Sequence, residues 1–261
     1  MELELISGKY VFRVEGTCPI CSSPTTFTAS RDNPLDSQWW RHWFRDSLTC
    51  DNCGSLPRER ALYATIEKYY PNWRELEIHE SSPAARGASL KLRSGAKRYT
   101  ETQYDPTLGF GKIHGERGYR SENLEAQTFP DEYFDLVVTQ DVFEHLFSPG
   151  AAIREIARTL RPGGAHICTV PIVLGTKPSR RRARLVEGKV EHLLEPQYHG
   201  NPMASDGSLV CIDWGYDITA FLAQQSGLTM TVVEIDDISR GIRAAYIEVL
   251  VAQKLDVPTA V

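Results

Sequence analysis

Four of the six cysteines fall in two Cys-x-x-Cys pairs, Cys18-Pro19-Ile20-Cys21 and Cys50-Asp51-Asn52-Cys53, with 28 residues between them. Each pair offers two thiolates from one tight turn, and two pairs complete a tetrahedron of the kind that holds Zn2+. A closed set of four thiolates leaves no position for water, so the expected metal is structural. The competing uses are disulfides, which a cytosolic chain disfavours, and a redox Cys-x-x-Cys, which needs no second copy. Zinc supplies on the order of 10 kcal/mol to the folding of units too small to bury a core. Such a module either caps the rest of the chain or closes over a substrate. Cys168 and Cys211 stand singly in apolar surroundings and belong to neither pair.

A second set of chemistry-bearing residues lies in the segment 171–216: His192, Tyr198, His199, Asn201 and Asp213, densest in the run Tyr198-His199-Gly200-Asn201-Pro202. An imidazole in a polar loop, with an ordinary pKa near 6.5, can take a proton from an acceptor. His199 is the first candidate, His145 the second, and Tyr198 stands beside them; the alternative use of these side chains is to fix the loop by hydrogen bonds. Lys177-Pro178-Ser179-Arg180-Arg181-Arg182-Ala183-Arg184 places five cations in eight residues. Such a run either grips an anionic acceptor or forms a solvated lid.

The elements that must position these groups follow a regular alternation. Short β-rich runs at Leu76-Ile78, Arg98-Thr102, Phe134-Gln140, Ala165-Val170, Thr229-Ile235 and Ala244-Val251 are separated by helical stretches, as in a parallel sheet of βαβ units. Pro57 to Tyr70 repeats apolar residues at helical spacing. A clearer helix starts at Ser148-Pro149, buries Ile153, Ile156, Ala157 and Leu160, and stops at a turn, Arg161-Pro162-Gly163-Gly164. Residues 1–56 lack helical periodicity and carry an aromatic cluster of Trp39, Trp40, Trp43 and Phe44. The division expected is a module of residues 1–56, a linking helix over 57–72, and an α/β domain over 73–261 with an insertion at 171–216.

The segment Phe129-Pro130-Asp131-Glu132-Tyr133-Phe134-Asp135-Leu136-Val137-Val138, continuing to Gln140-Asp141-Val142-Phe143-Glu144-His145 and followed by Leu160-Arg161-Pro162-Gly163-Gly164, resembles the middle of class I S-adenosylmethionine-dependent methyltransferases of the type 11 group. The resemblance implies an α/β fold with a Rossmann-like methyltransferase sheet and helices on both faces, preceded here by the small zinc-binding module. It implies S-adenosylmethionine as cofactor. Phe134–Val138 becomes a central strand, and Gln140 and Asp141 line the ligand site at its carboxyl end. Glu77 matches the acidic position of the first strand, whereas His79, Ser81 and Pro83 stand where the family has glycines; His79 and Ser81 are then cofactor-side residues, Ser81 able to bind the carboxylate. Glu101 is the acceptor for ribose hydroxyls, and Asn123 and Leu124 read adenine. Glu144 and His145 either start a short helix or serve the chemistry.

At 261 residues, with 41% apolar and 24% charged residues and a net charge of −5, the chain reads as an ordinary soluble protein and not as a generally basic nucleic-acid binder. No apolar run reaches the ~18 residues that span a bilayer, and Met1-Glu2-Leu3-Glu4 does not open a signal peptide, so the cytoplasm is the expected address. The function expected is methylation of oxygen or nitrogen on a small-molecule or glycan-like acceptor. The alternatives are an RNA base methyltransferase and a non-catalytic protein that keeps the fold for binding. Oligomeric state is not readable from the sequence.

Overall fold

The structure, a computed structural model, describes residues 3–32, 40–201 and 203–256. Asn33-Pro34, Trp39 and Pro202 lie outside the described residues. Two compact units are formed, and they do not follow the order of the chain. One holds Met1–Trp73, Ala84–Gly95 and Val233–Val249, the other Arg74–Pro83, Ala96–Val232 and Leu250–Val261.

In the first unit, β1 (Glu4–Ile6), β2 (Lys9–Cys18), β3 (Ser23–Arg31) and β4 (Thr49–Cys50) make one antiparallel sheet in that order. Cys18 ends β2 opposite Ser23, and Cys50 lies opposite Phe27, so strand register alone draws the two cysteine pairs together. Trp40–Ser47 forms a helix, α1, where the sequence showed no helical periodicity. Trp40, Trp43 and Phe44 are three and four residues apart, the spacing of one helix face, and both Trp rings lie 5.2 Å from the buried Phe44 ring. The aromatic cluster was therefore the helical signal. α2 (Pro57–Tyr69) starts on Pro57, and Glu59 accepts a hydrogen bond from the Leu56 amide at 2.9 Å, closing its first turn. Glu59 also accepts from Arg86 Nε at 2.7 Å, just ahead of α3 (Gly87–Gly95). A Cβ on Gly87, at φ +57°, would meet Glu59 Oε2 at 2.2 Å, so both backbone conformation and space demand glycine there.

The second unit is built on a seven-stranded sheet. Its strands are β5 (Glu77–Ser81), β6 (Arg98–Gln103), β7 (Arg120–Ser121), β8 (Phe134–Gln140), β9 (Leu160–Thr169), β16 (Thr229–Val233) and β17 (Val249–Gln253), in the order β16-β17-β9-β8-β5-β6-β7. β7, β6, β5, β8 and β9 pair in parallel. Strand order runs outward both ways from β5 and β8, which makes their carboxyl ends the switch point where α/β sheets take ligands. Phe134, Leu136, Val137 and Val138 are all fully buried, as a central parallel strand requires. β5 extends to Ser81, three residues beyond the apolar run that announced it, because His79, Glu80 and Ser81 are polar yet buried.

Two expected boundaries change. Arg161-Pro162-Gly163-Gly164 is a bulged entry into β9 instead of a turn: Leu160 already pairs with Phe134, the register shifts before Ala165 pairs with Leu136, and Gly163 at φ +78° bonds to the Lys254 carbonyl. Ser148 precedes α4 (Pro149–Thr159), but its backbone carbonyl, not its side chain, meets the helix amides of Ala151 and Ala152. The insertion folds as three two-stranded ribbons: β10 (Arg180–Arg181) with β15 (Ile212–Asp213), β11 (Ala183–Val186) with β12 (Lys189–His192), and β13 (Tyr198–Asn201) with β14 (Ala204–Leu209). α5 (Asp217–Ser226) follows it. Among the described residues no helix is long and apolar enough to cross a membrane.

Two histidines are built into the sheet. His79 is 0% exposed, shares a hydrogen bond with Thr102 Oγ1 at 2.9 Å and stacks on Phe134 with ring centroids 5.0 Å apart. His166, equally buried, meets Thr139 Oγ1 at 3.0 Å. Burial pulls both imidazoles down to about 3, aided at His79 by Arg120 and at His166 by His79. Their folded-state values lie below the ordinary 6.5, so between these limits the unfolded chain binds more protons. Stability is therefore complete above pH 6.5 and lost progressively as pH falls toward 3. At pH 5 the expected loss is about 2 kcal/mol per ring, read as a fall in melting temperature between pH 7.5 and 5. His166→Phe should flatten that slope; an unchanged slope would show that these rings do not govern acid lability.

Candidate functional site

In the first unit the four cysteine sulfurs lie within 4.8 Å of one another, with Cys18 and Cys53 Sγ 3.7 Å apart and Cys21 and Cys50 Sγ 3.9 Å apart. Thiolates at about 2.3 Å from a tetrahedral Zn2+ are about 3.8 Å apart, whereas a disulfide needs ~2.05 Å. All six cysteines are free thiols. Beside the cluster sits Arg60, 0% exposed, which donates to the carbonyls of Leu48, Ser55 and Gly241 and stacks over Phe27 at 4.6 Å. Burial pulls its guanidinium down to about 10, opposed by the charges of Cys18, Cys50 and Cys53. Four thiolates around a divalent ion carry a net charge of about −2, and a buried cation next to them offsets part of it. The donor set, its spacing and Arg60 all fit zinc.

At the switch point of the second unit the group at the centre is Glu80, which the sequence reading missed. It is fully buried near the end of β5, accepting from Tyr99 Oη at 2.7 Å and from Gln140 Nε2 at 2.9 Å. Its carboxylate thus ties β5 to β6 and β8. Glu77, the acidic residue expected there, is instead the first residue of β5, at the amino end, where Arg98 Nε pairs with it at 2.8 Å. A longer strand moves the acidic position three residues on. His79 is also displaced from the expected role, its ring being enclosed by Phe129, Phe134 and Thr102. Ser81 ends the strand, buried, and Glu101 is half-buried, opposite Glu80 in the register.

The glycine-poor loop keeps a glycine-like backbone. Ser82 takes φ +54° directly after β5, and its amide bonds to the Thr102 carbonyl at 2.8 Å. Asp141 takes φ +52° directly after β8, with its amide on the Thr169 carbonyl at 3.0 Å and Thr169 Oγ1 donating to its carboxylate at 3.1 Å. Two non-glycine residues in the left-handed region at adjacent strand ends cost about 1 kcal/mol or more each, a strain that gathers at ligand sites. Asn123 and Leu124 are less available than expected. The Asn123 Oδ1 accepts from the Glu125 amide at 3.0 Å, a local turn, and the Leu124 side chain is buried in the hydrophobic core.

Beyond β8 a second cluster forms. Phe143–His145 is a single 3-10 turn, and the Glu144 carboxylate is only 1% exposed. Glu144 Oε1 lies 3.7 Å from His145 Nε2 and 3.9 Å from His199 Nδ1, and the two imidazole rings meet edge to face at 5.2 Å. The ribbon of β13 and β14 brings this about: it carries His199 on one strand and Leu209 on the other, and the Leu209 carbonyl bonds to His145 Nδ1 at 2.8 Å. Two residues further, the Cys211 amide holds the Glu144 carbonyl at 2.7 Å. Desolvation lowers the His145 pKa, partly countered by the Leu209 carbonyl. Tyr198 is 55% exposed, while His192 is exposed on β12. Asn201 Oδ1 accepts from the Met203 amide. Asp213 is held by Arg180 at 2.9 Å and Arg182 at 2.8 Å. With Arg181 on the Phe147 carbonyl, outside the insertion, and Arg184 on Glu191, each of the four arginines of the basic run has a partner.

The parallel sheet with its ligand-ready switch point is that of a Rossmann-like methyltransferase domain. Residues 88–168 match the family described as a methyltransferase domain. A curated relative, the ubiquinone biosynthesis O-methyltransferase of Ruegeria pomeroyi, is 32% identical over 82 residues, which are 30% of this chain and 33% of that enzyme. The chain thus spans about a third of the length of this relative. Among solved structures, an S-adenosylmethionine-dependent methyltransferase from Mesorhizobium loti aligns over 74% of this chain and 96% of its own, at 14% identity and a TM-score of 0.47. One from Methanosarcina mazei aligns over 73% and 97%, at 17% identity and a TM-score of 0.43.

Proposed function

We propose that this chain transfers the methyl group of S-adenosylmethionine to an oxygen or nitrogen of a small-molecule or glycan-like acceptor, and that Cys18, Cys21, Cys50 and Cys53 hold a structural zinc ion. The observation that carries the reading is the continuity of β8 with both clusters. Gln140, on Glu80, ends the strand, and Glu144 and His145 follow within five residues to meet His199. One strand end thereby joins a cofactor side to an acceptor side.

Bound S-adenosylmethionine supplies a methyl carbon whose bond to the sulfonium sulfur breaks with the electron pair remaining on sulfur. Because that leaving group needs no proton, the residues of this chain have to align the acceptor, exclude water and accommodate the proton its hydroxyl or amine gives up. Glu80, Gln140, Ser81 and Asp141 form the cofactor side in this reading. Glu144, His145 and His199 form the acceptor side, with Tyr198 at its rim. The pairing of Arg180 and Arg182 with Asp213 and of Arg184 with Glu191 offsets part of the charge of the basic run, which supports a small acceptor over RNA.

The test is titration calorimetry with S-adenosylmethionine on the zinc-loaded protein, paired with His199→Ala. Micromolar binding is expected for both proteins, with affinities within about threefold, while the variant loses about 100-fold or more in kcat, the scale of a lost acid–base group. Absence of binding by the folded wild type would remove the methyltransferase reading, and unchanged kcat would remove His199 from the acceptor side.

A further inference from the structure

We propose that Glu144, His145 and His199 form a binding site for a single divalent cation, separate from the four-cysteine cluster, whose open positions take two neighbouring oxygens of the acceptor. The inference rests on the reading of this cluster as the acceptor side and states how the acceptor's proton is released there.

Three observations carry it. The donor atoms, Glu144 Oε, His145 Nε2 and His199 Nδ1, lie within 4.8 Å of one another, with the carboxylate 3.7 Å and 3.9 Å from the two nitrogens. These separations exceed hydrogen bonding, yet a point equidistant from three atoms so spaced lies within about 2.5 Å of each, close to the ~2.0–2.2 Å of imidazole and carboxylate ligands. The second observation is orientation. His145 Nδ1 bonds to the Leu209 carbonyl at 2.8 Å, which makes Nδ1 the donor and leaves the lone pair on Nε2, the nitrogen 3.7 Å from Glu144 Oε1. A metal-binding histidine is fixed by that kind of bond from its other nitrogen. The third is burial: a carboxylate 1% exposed between two imidazoles sits where a cation is worth most.

Two imidazoles and one carboxylate suit a divalent transition ion better than Mg2+ or Ca2+, which prefer all-oxygen sites. Three protein ligands leave two or three positions on a five- or six-coordinate ion, enough for a chelating pair such as a vicinal diol or a hydroxy acid. A coordinated hydroxyl loses its proton to water, and its oxygen then forms the new bond to the methyl carbon as the C–S pair returns to sulfur. His199 acts here as a ligand through Nδ1, so the loss of turnover expected for His199→Ala comes from the missing cation and not from a missing base.

The probe is Mn2+, followed by electron paramagnetic resonance on the full-length protein loaded with a single equivalent of Zn2+, which the four thiolates take first; Mn2+ binds more weakly than Zn2+ and will not displace it from them. One bound Mn2+ per chain is expected, with affinity reduced at least tenfold in His199→Ala and in Glu144→Gln. His199 has a side chain 40% exposed, so its variant should fold even where the buried Glu144→Gln does not. No bound Mn2+ at about 1 mM, or wild-type affinity in a folded His199→Ala, overturns the proposal. S-adenosylmethionine titrated into the same samples separates the two readings: cofactor binding without Mn2+ binding removes the cation alone, and loss of cofactor binding by the wild type removes the methyltransferase reading beneath it.

Discussion

Cys50→Ser is expected to release the zinc ion and unfold the unit it organises. Cys50 lies in β4 opposite Phe27, and its sulfur is 3.9 Å from that of Cys21. Removing one thiolate leaves three, and the affinity that couples metal to folding, on the order of 10 kcal/mol in small zinc units, falls by a large fraction. Arg60 turns a local loss into a wider one. Its guanidinium is buried beside the thiolates and bonded to carbonyls of Leu48, Ser55 and Gly241. Without the anionic cluster, its desolvation is no longer offset. The expected result is a fall from about one zinc per chain to a small fraction by elemental mass spectrometry, with a melting temperature at least ~10 °C lower. Trp40, Trp43 and Trp73 belong to this unit, so tryptophan fluorescence reports its unfolding. Full zinc content in the variant would show that the cluster does not need Cys50.

The parts of this molecule that were legible in the sequence are those where a residue type and its spacing leave one solution. Phe134–Gln140 was read to the residue because a β-rich run carrying Phe134, Leu136, Val137 and Val138 suits a central parallel strand. The cysteine pairs were legible as one cluster because two Cys-x-x-Cys turns in a small unit bring four sulfurs together. β5 was read short, and the error passed directly into the site. Apolar residues announce a buried strand, and this strand buries His79, Glu80 and Ser81 instead, the first two with partners that lie far away in sequence: Thr102 for His79, and Tyr99 and Gln140 for Glu80. Polar burial of that kind has no local signature. The helix at Trp40 was hidden for the opposite reason: its signal, aromatic spacing of three and four, was present but read as composition. Glu144 was read with His145 as a helix start or as part of the chemistry but not as a neighbour of His199, since that meeting depends on a ribbon more than 50 residues downstream.

Glu80→Ala is expected to weaken S-adenosylmethionine binding by about 30- to 100-fold, whereas Glu77→Ala changes it by less than about threefold. The large effect follows from satisfaction of buried donors. Glu80 accepts from Tyr99 Oη and Gln140 Nε2, so its removal leaves a hydroxyl and an amide inside the sheet without their acceptor. Each such loss costs about 1–3 kcal/mol, and 1.4 kcal/mol is a factor of ten. Those donors stand on β6 and β8, whose carboxyl ends frame the switch point, so relief comes by moving the strand ends that hold the cofactor. Glu77 has no such leverage, because its partner Arg98 is more than half exposed and the pair lies at the amino end of β5. Glu80→Gln sharpens the comparison: it keeps the shape and one carbonyl oxygen but loses the second acceptor, and its affinity should fall between those of wild type and alanine variant. Calorimetric titration of the three variants reads all of this directly. Equal losses for Glu77→Ala and Glu80→Ala would place the cofactor elsewhere than the switch point, and no loss for Glu80→Ala would make its carboxylate a tie between strands with no part in binding.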